Sequence, residues 1–90
     1  MDNAFRAQVN STPVTGTTGS VANPYQGRAH FRIYATTLCY LSWTGAATTN
    51  DLPIAAGLPE LFLAQGGDTI YINNPSSGTV SISWDNGCGN

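Results

Sequence analysis

Lysine is absent from this chain of 90 residues, and charged residues of both signs make up only 9% of it. Ordinary soluble domains carry about 25% charged residues. The only cationic residues besides histidine are Arg6, Arg28 and Arg32, and the formal net charge is −2. Nucleic acids and anionic membrane surfaces are bound by clusters of cations that neutralise phosphates. We therefore expect neither kind of partner.

Cysteine and histidine are nearly as scarce. Cys39, Cys88 and the single His30 are too few for a structural zinc site, which takes four such ligands. The N-terminus lacks the basic and apolar regions of a secretory signal, and no apolar run approaches the ~20 residues of a membrane-spanning helix. We expect a chain made in a cytosol, where Cys39 is a buried free thiol. A disulfide between Cys39 and Cys88 is the alternative.

The residues that catalysis needs are also missing. His30 is the only neutral base, and strand alternation places it on a polar face while Cys39 lies on an apolar one, which argues against a dyad. The acidic residues are scattered, and Asp68 follows two glycines as a turn residue. No phosphate-binding loop or nucleophile elbow occurs. We expect no enzymatic activity, no cofactor and no metal site.

What the chain does contain is a recurring alternation of apolar and polar residues. The alternating segments are separated by turn signals, such as GGD at residues 66–68 and NPSSG at residues 74–78. No stretch shows the spacing of a long amphipathic helix. The residues predicted to face the core are Phe31, Ile33, Ala35, Cys39, Leu41, Trp43, Leu61, Leu63, Ile70, Ile72, Val80, Ile82 and Trp84. This pattern predicts an all-β domain: a small antiparallel sandwich or barrel of about six strands.

The N-terminal region lacks that pattern beyond one short stretch. Phe5, Ala7 and Val9 alternate with polar residues and fit a short strand, but residues 11–20 (STPVTGTTGS) indicate an extended loop. We predict an extended N-terminal arm over residues 1–27 and a sandwich domain with a short tail over residues 28–90. The arm is either a mobile terminus or a segment that orders on a neighbouring subunit.

Two further expectations concern the edges and ends of the sandwich. Pro53 and Pro59 exclude a regular central strand over residues 45–57. We expect that segment to cross between the sheets, with Leu52, Ile54 and Leu58 covering the core. Edge strands of monomers are commonly guarded by lysine. Without lysine, either the edges are short and covered or another subunit pairs with them.

Several aromatic side chains are predicted on the outer faces of the strands, including Phe62 opposite the leucines of its strand. Large exposed aromatics are enriched at protein interfaces, although they also serve as cross-strand packing partners. The candidate protein-interface residues, with two from the arm, are Phe5, Val9, Tyr34, Tyr40, Phe62 and Tyr71. We interpret the chain as a domain that acts by packing against other protein.

Four motifs occur in order along the sandwich domain. They are RIYATTLCYL at residues 32–41, DLPIAAGLPE at 51–60, GDTIYI at 67–72 and GTVSIS at 78–83. Over residues 28–84 the chain thereby resembles small structural proteins of tailed bacteriophages. The resemblance implies a virion component that decorates or cements the outer surface of an assembled capsid. It further implies the major capsid protein as partner and a homotrimer as the oligomeric state.

Two other functions are open at this point. A carbohydrate-binding module of a virion fibre would stack an aromatic ring on a sugar and bond its hydroxyl groups with amides. Its candidate residues are Trp43, Trp84, Asn73 and Asn74, although both tryptophans are predicted in the core. A tail or connector component of the virion is the other alternative.

Overall fold

The computed structural model describes residues 9–11 and 13–85, and every regular element within them is a β-strand. No helix among these residues is long and apolar enough to cross a membrane. The strands, in chain order, are β1 (Val9–Asn10), β2 (Thr18–Ala22), β3 (Ala29–Ala35), β4 (Cys39–Ser42), β5 (Leu52–Ile54), β6 (Glu60–Ala64), β7 (Thr69–Asn73) and β8 (Val80–Asp85).

These strands form two four-stranded antiparallel sheets. Sheet A has the order β1-β8-β3-β6, and sheet B has the order β2-β7-β4-β5. The inner faces of the two sheets share one hydrophobic core, so the architecture is an open sandwich and not a closed barrel. The all-β prediction is confirmed, but the described residues contain eight strands where the sequence indicated about six.

The core follows the predicted alternation in four of the strands. Inward side chains of β3, β4, β7 and β8 are almost inaccessible to solvent, whereas most of their neighbours in sequence are exposed or half-buried. Burying a Val, Leu, Ile or Phe side chain contributes about 1.5–3 kcal/mol. The buried apolar residues predicted from these strands are Phe31, Ile33, Ala35, Cys39, Leu41, Ile70, Ile72, Val80, Ile82 and Trp84.

Four aromatic rings, with that of Phe31 at the centre, pack together and join the two sheets. The Phe31 ring centroid lies 5.1 Å from that of Trp84, 5.7 Å from Phe62 and 5.8 Å from Trp43. Trp43 and Phe62 complete the cluster edge to face at 5.7 Å. Each such pair contributes about 0.5–1.5 kcal/mol beyond the area it buries. Because Trp43 follows β4 of sheet B and the other three rings belong to sheet A, the cluster links both layers.

This cluster reverses the predicted orientation of β6. Phe62 turns inward to Phe31 and Ala64 is fully buried, while Leu61 and Leu63 point outward with exposed fractions of 50% and 38%. The prediction that the two leucines face the core and Phe62 faces solvent is therefore wrong. The physical reason is that side chains alternate strictly along a strand, so the inward turn of Phe62 places both leucines outside.

The N-terminal region is built into the sandwich from Val9 onward, so the predicted arm is not confirmed. β1 pairs with β8, and Val14 bridges Val80 through two backbone hydrogen bonds of 2.9 Å. β2 then adds to the edge of sheet B beside β7. The interpretation of residues 11–20 as an extended loop is wrong for the part that lies in β2. A side chain at position 19 would collide with that of Val14, so glycine allows β2 to pass close to Val14.

The segment over residues 45–57 does lead from sheet B to sheet A, but it contains a strand. β5 pairs with β4 as an edge strand, where Pro53 is tolerated because its missing N–H is not needed. Ile54 is fully buried as predicted. Leu52 and Leu58 were expected to cover the core, but they are 40% and 61% exposed, because they lie at the free edge and in the connection to β6.

Asn74 ties three connections together at one end of the sandwich. Its side chain is fully buried and donates to the carbonyl of Gly16 at 3.1 Å and to that of Gly78, while the Thr37 hydroxyl donates to Asn74 Oδ1 at 3.3 Å. Its backbone N–H donates to the Thr17 carbonyl at 2.7 Å. One asparagine thereby joins the β1–β2, β3–β4 and β7–β8 connections.

We predict that Asn74→Ala lowers the free energy of unfolding by about 1–3 kcal/mol, because the carbonyls of Gly16 and Gly78 would lose their donor. Urea denaturation measures this loss. The exposed Asn50 provides the matched control, since Asn50→Ala should change stability by less than about 0.5 kcal/mol. Equal midpoints for the two variants would show that this network does not hold the connections.

Candidate protein-docking surface

The structure separates the six predicted interface residues. Tyr34 is 42% exposed on the outer face of sheet A, whereas Tyr40 and Tyr71 are half-buried on the outer face of sheet B. Val9 is 36% exposed in β1 at the edge of sheet A. Phe62 lies in the aromatic cluster, so its predicted outward position is wrong. Phe5 lies outside the described residues.

The outer face of sheet A groups two exposed leucines and a tyrosine with a histidine and an arginine across β3 and β6. In the register of these strands Arg32 lies opposite Leu61, and His30 lies opposite Leu63. Side chains opposite one another on one face of a sheet have Cβ atoms about 4.5–5.5 Å apart, so these residues are neighbours. Tyr34 follows one step further along β3. We name the surface formed by His30, Arg32, Tyr34, Leu61 and Leu63 the leucine face.

The leucine face is bounded by polar residues on its β8 side. Ser83 lies opposite Arg32, and its hydroxyl donates to the Asn10 side-chain carbonyl at 2.6 Å. Ser81 lies opposite Tyr34. An apolar centre with a polar border is the usual composition of a protein-binding surface.

Among the described residues, the edge strands β5 and β6 are short or partly covered, although no lysine guards them. β5 has three residues with Pro53 at its centre. At β6 the indole N–H of Trp43 donates to the Leu63 carbonyl at 3.1 Å. This hydrogen bond occupies one of the two acceptor positions of that carbonyl. This favours docking through the exposed side chains of the leucine face over pairing of a foreign strand with β6.

The outer face of sheet B is different in chemistry. The loop after β4 folds over it: Ala47 is buried, and its carbonyl accepts a hydrogen bond of 3.3 Å from the Asn73 amide. Beside this loop lies an open groove of about 300 Å³. Its lining is uncharged and combines apolar and hydroxyl-bearing residues: Thr18, Gly19, Ser20, Ala46, Ala47, Tyr71 and Ile72.

Within residues 9–11 and 13–85 the titratable side chains do not converge on one site. His30 lies on the outer face of sheet A, whereas Cys39 is fully buried on the inner face of sheet B. Asp51 and Asp68 accept backbone hydrogen bonds of 2.7 Å from Thr48 and Gln65 within their own turns. The described part of the chain holds no group of three or more His, Cys, Asp or Glu residues able to bind a metal.

Cys39 is a free thiol in the core, and Cys88 lies outside the described residues. Burial raises the pKa of Cys39 from its ordinary value of 9.0 to about 11, because the apolar surroundings disfavour the thiolate. A thiol that stays protonated is a poor nucleophile and a poor metal ligand.

Searches of protein-family models, curated proteins and solved structures found no match to this chain. The resemblance to phage structural proteins therefore depends on the four sequence motifs. Those motifs cover much of β3, all of β5, and most of β4, β7 and β8, so they lie in both sheets.

Leu61 and Leu63 are the two residues of the leucine face that the sequence prediction placed in the core. Their alternation with Glu60, Phe62 and Ala64 left two possible orientations, and the pair of leucines made the wrong one look more apolar. Phe31, Trp43 and Trp84 are all predicted to face the core. A core that already holds three aromatic rings favours packing of a fourth, and this indicates that Phe62 turns inward.

We predict that stability falls as the pH rises from about 9 to about 11, because over this range the unfolded chain releases the Cys39 proton while the folded chain retains it. The Cys39→Ala variant should lack this part of the decline. Urea denaturation of both chains between pH 7 and pH 11 measures the difference. Parallel pH profiles for the two chains would contradict the assignment.

Proposed function

We propose that this protein decorates an assembled phage capsid and stabilises it by binding across neighbouring capsid subunits. The observation that carries the proposal is the leucine face, which exposes Leu61, Leu63 and Tyr34 together on one side of a rigid sheet. The phage-like motifs supply the nature of the partner. The major capsid protein would be bound at the outer surface of the virion, with the decorating chains as homotrimers.

The physical chemistry of the surface suits binding to a large assembly. Burying apolar area contributes about 25 cal/mol per Å² before the costs of association are subtracted. Only a few charges would lose water on docking, because charged residues are 9% of the chain. A domain attached to one capsid subunit also meets the next at a high effective concentration. Modest contacts on each subunit can therefore add up to firm attachment.

Rigidity is the second requirement of a stabilising protein. β3 lies at the centre of sheet A between β8 and β6, and the aromatic cluster holds its inner side against sheet B. Arg32 and Tyr34 therefore project from a strand that is fixed on both edges and on one face. Subunits bound to such a surface would be held at a fixed separation, which opposes their parting under internal pressure.

We predict that Leu61→Ser weakens binding to assembled shells roughly tenfold or more, because burial of a leucine contributes about 1.5–3 kcal/mol. Shells of the major capsid protein encoded in the same genome are incubated with the full chain and sedimented, and the bound fraction is measured. Leu52→Ser is the matched control, since Leu52 is similarly exposed but lies in sheet B.

Two results would contradict this proposal. Equal binding of the wild-type chain to dissociated capsid subunits and to assembled shells would show that no bridging is involved. Shell binding by both Leu61→Ser and Leu52→Ser at the wild-type level would place the contact elsewhere. Shells carrying the wild-type chain should also resist heat better than bare shells.

A carbohydrate-binding function is the second candidate, and the groove on sheet B is the observation that favours it. Of the four predicted sugar ligands, Trp84 and Asn74 are fully buried. The half-buried Trp43 packs in the aromatic cluster, and the Asn73 amide donates to the Ala47 carbonyl. The groove instead offers the hydroxyl groups of Ser20 and Tyr71 and one aromatic ring beside small residues. A neutral, hydroxyl-rich ligand is the chemistry that such a lining accepts.

If the groove binds sugar, the isolated chain should retain specific glycans on an array, and Tyr71→Ala should abolish that binding. Tyr34→Ala is the control, because Tyr34 lies on the opposite sheet. Binding that survives Tyr71→Ala, or the absence of any retained glycan, would remove this candidate.

A further inference from the structure

We propose that the leucine face binds an apolar protein surface that carries a carboxylate, and that Arg32 selects this partner by pairing with it. This inference rests on the proposed docking function and specifies the chemistry of the partner. It concerns Arg32, because apolar contacts alone do not explain why the leucine face carries an arginine.

Arg32 occupies the centre of the leucine face. In the register of sheet A it lies between Leu61 on β6 and Ser83 on β8, with His30 and Tyr34 two residues away on the same side of β3. It is exposed, and among the described residues its guanidinium has no hydrogen-bond or ion-pair partner. An exposed cation is therefore held on a central strand, between Leu61 on one side and the polar border at Ser83 on the other.

The acidic residues near this surface do not serve Arg32. Glu60 belongs to the inward-facing set of β6, with Phe62 and Ala64. Asp85 lies opposite His30 but is buried and has an interaction of its own. The leucine face is therefore cationic through Arg32, although the whole chain has a net charge of −2.

Charge complementarity follows from this arrangement. A two-fold pairing of two copies centred on Arg32 would set Arg32 against Arg32, so that form of self-association is opposed. A partner with a carboxylate surrounded by apolar residues would complement it, because arginine forms paired hydrogen bonds with a carboxylate in a fixed geometry. Arginine and tyrosine are also the residue types that most often dominate binding energy at interfaces.

The apolar surroundings would strengthen this pairing. When Tyr34, Leu61 and Leu63 are covered, they exclude water from the guanidinium between them, and screening by salt is weaker for a covered pair. A partner that lacked the carboxylate would leave Arg32 desolvated and unpaired, which is costly. The arrangement therefore provides selectivity as well as affinity.

The test is the sedimentation assay with assembled shells, carried out between 50 mM and 500 mM salt. Arg32→Gln should weaken binding roughly tenfold or more and flatten the salt dependence. Arg32→Lys keeps the charge without the paired geometry and should be intermediate. Arg28→Gln is the matched control, because Arg28 is exposed just before β3 and outside the leucine face. Circular dichroism verifies that each variant is folded.

The outcomes distinguish this inference from the proposed function. Wild-type binding that Leu61→Ser weakens and Arg32→Gln leaves unchanged would overturn the carboxylate partner while the docking surface stands. Wild-type binding that grows stronger with added salt would also overturn it. A wild-type chain that binds no shell would instead contradict the proposed function.

Discussion

The ring of Phe31 packs against the rings of Phe62, Trp84 and Trp43. These contacts require β6, β8 and the end of β4 to turn their aromatic residues toward the space between the sheets. Side chains alternate along each strand, so fixing one inward residue fixes the whole strand. The aromatic cluster therefore sets which face of three strands is core and which is surface. It also ties the two sheets, because Trp43 follows a strand of sheet B and its two ring partners, Phe31 and Phe62, belong to sheet A.

The docking surface is a consequence of that constraint. With Phe62 held inside, Leu61 and Leu63 have no place in the core and lie outside beside Arg32 and Tyr34. Ser or Thr at these outward positions would also fit the alternation of the strand, so we take the leucines to indicate a use beyond folding. The other sheet shows the contrast, because its outer face is covered in part by the loop after β4 and otherwise carries small or half-buried residues.

Much of the fold could be predicted from the sequence, since apolar residues at every second position of β3, β4, β7 and β8 allow only one inward face. β2 could not be predicted, because Thr18–Ala22 has almost no apolar contrast and owes its place to pairing with β7. The orientation of β6 was predicted wrongly for the opposite reason. Both of its faces carry apolar residues, and long-range contacts with Phe31 decide which face turns inward. Tyr34 was found as a surface residue, but its neighbours were not, because neighbours depend on strand order.

Oxidative footprinting of side chains is the most direct test that the leucine face docks on a shell. The full chain is exposed to hydroxyl radicals alone and in complex with assembled shells, and oxidation is measured at each leucine and tyrosine. We expect the complex to protect Tyr34, Leu61 and Leu63, while Leu52 and Leu58 remain as reactive as in the free chain. Protection of Tyr71 and Leu52 with no change at Leu61 and Leu63 would contradict the account.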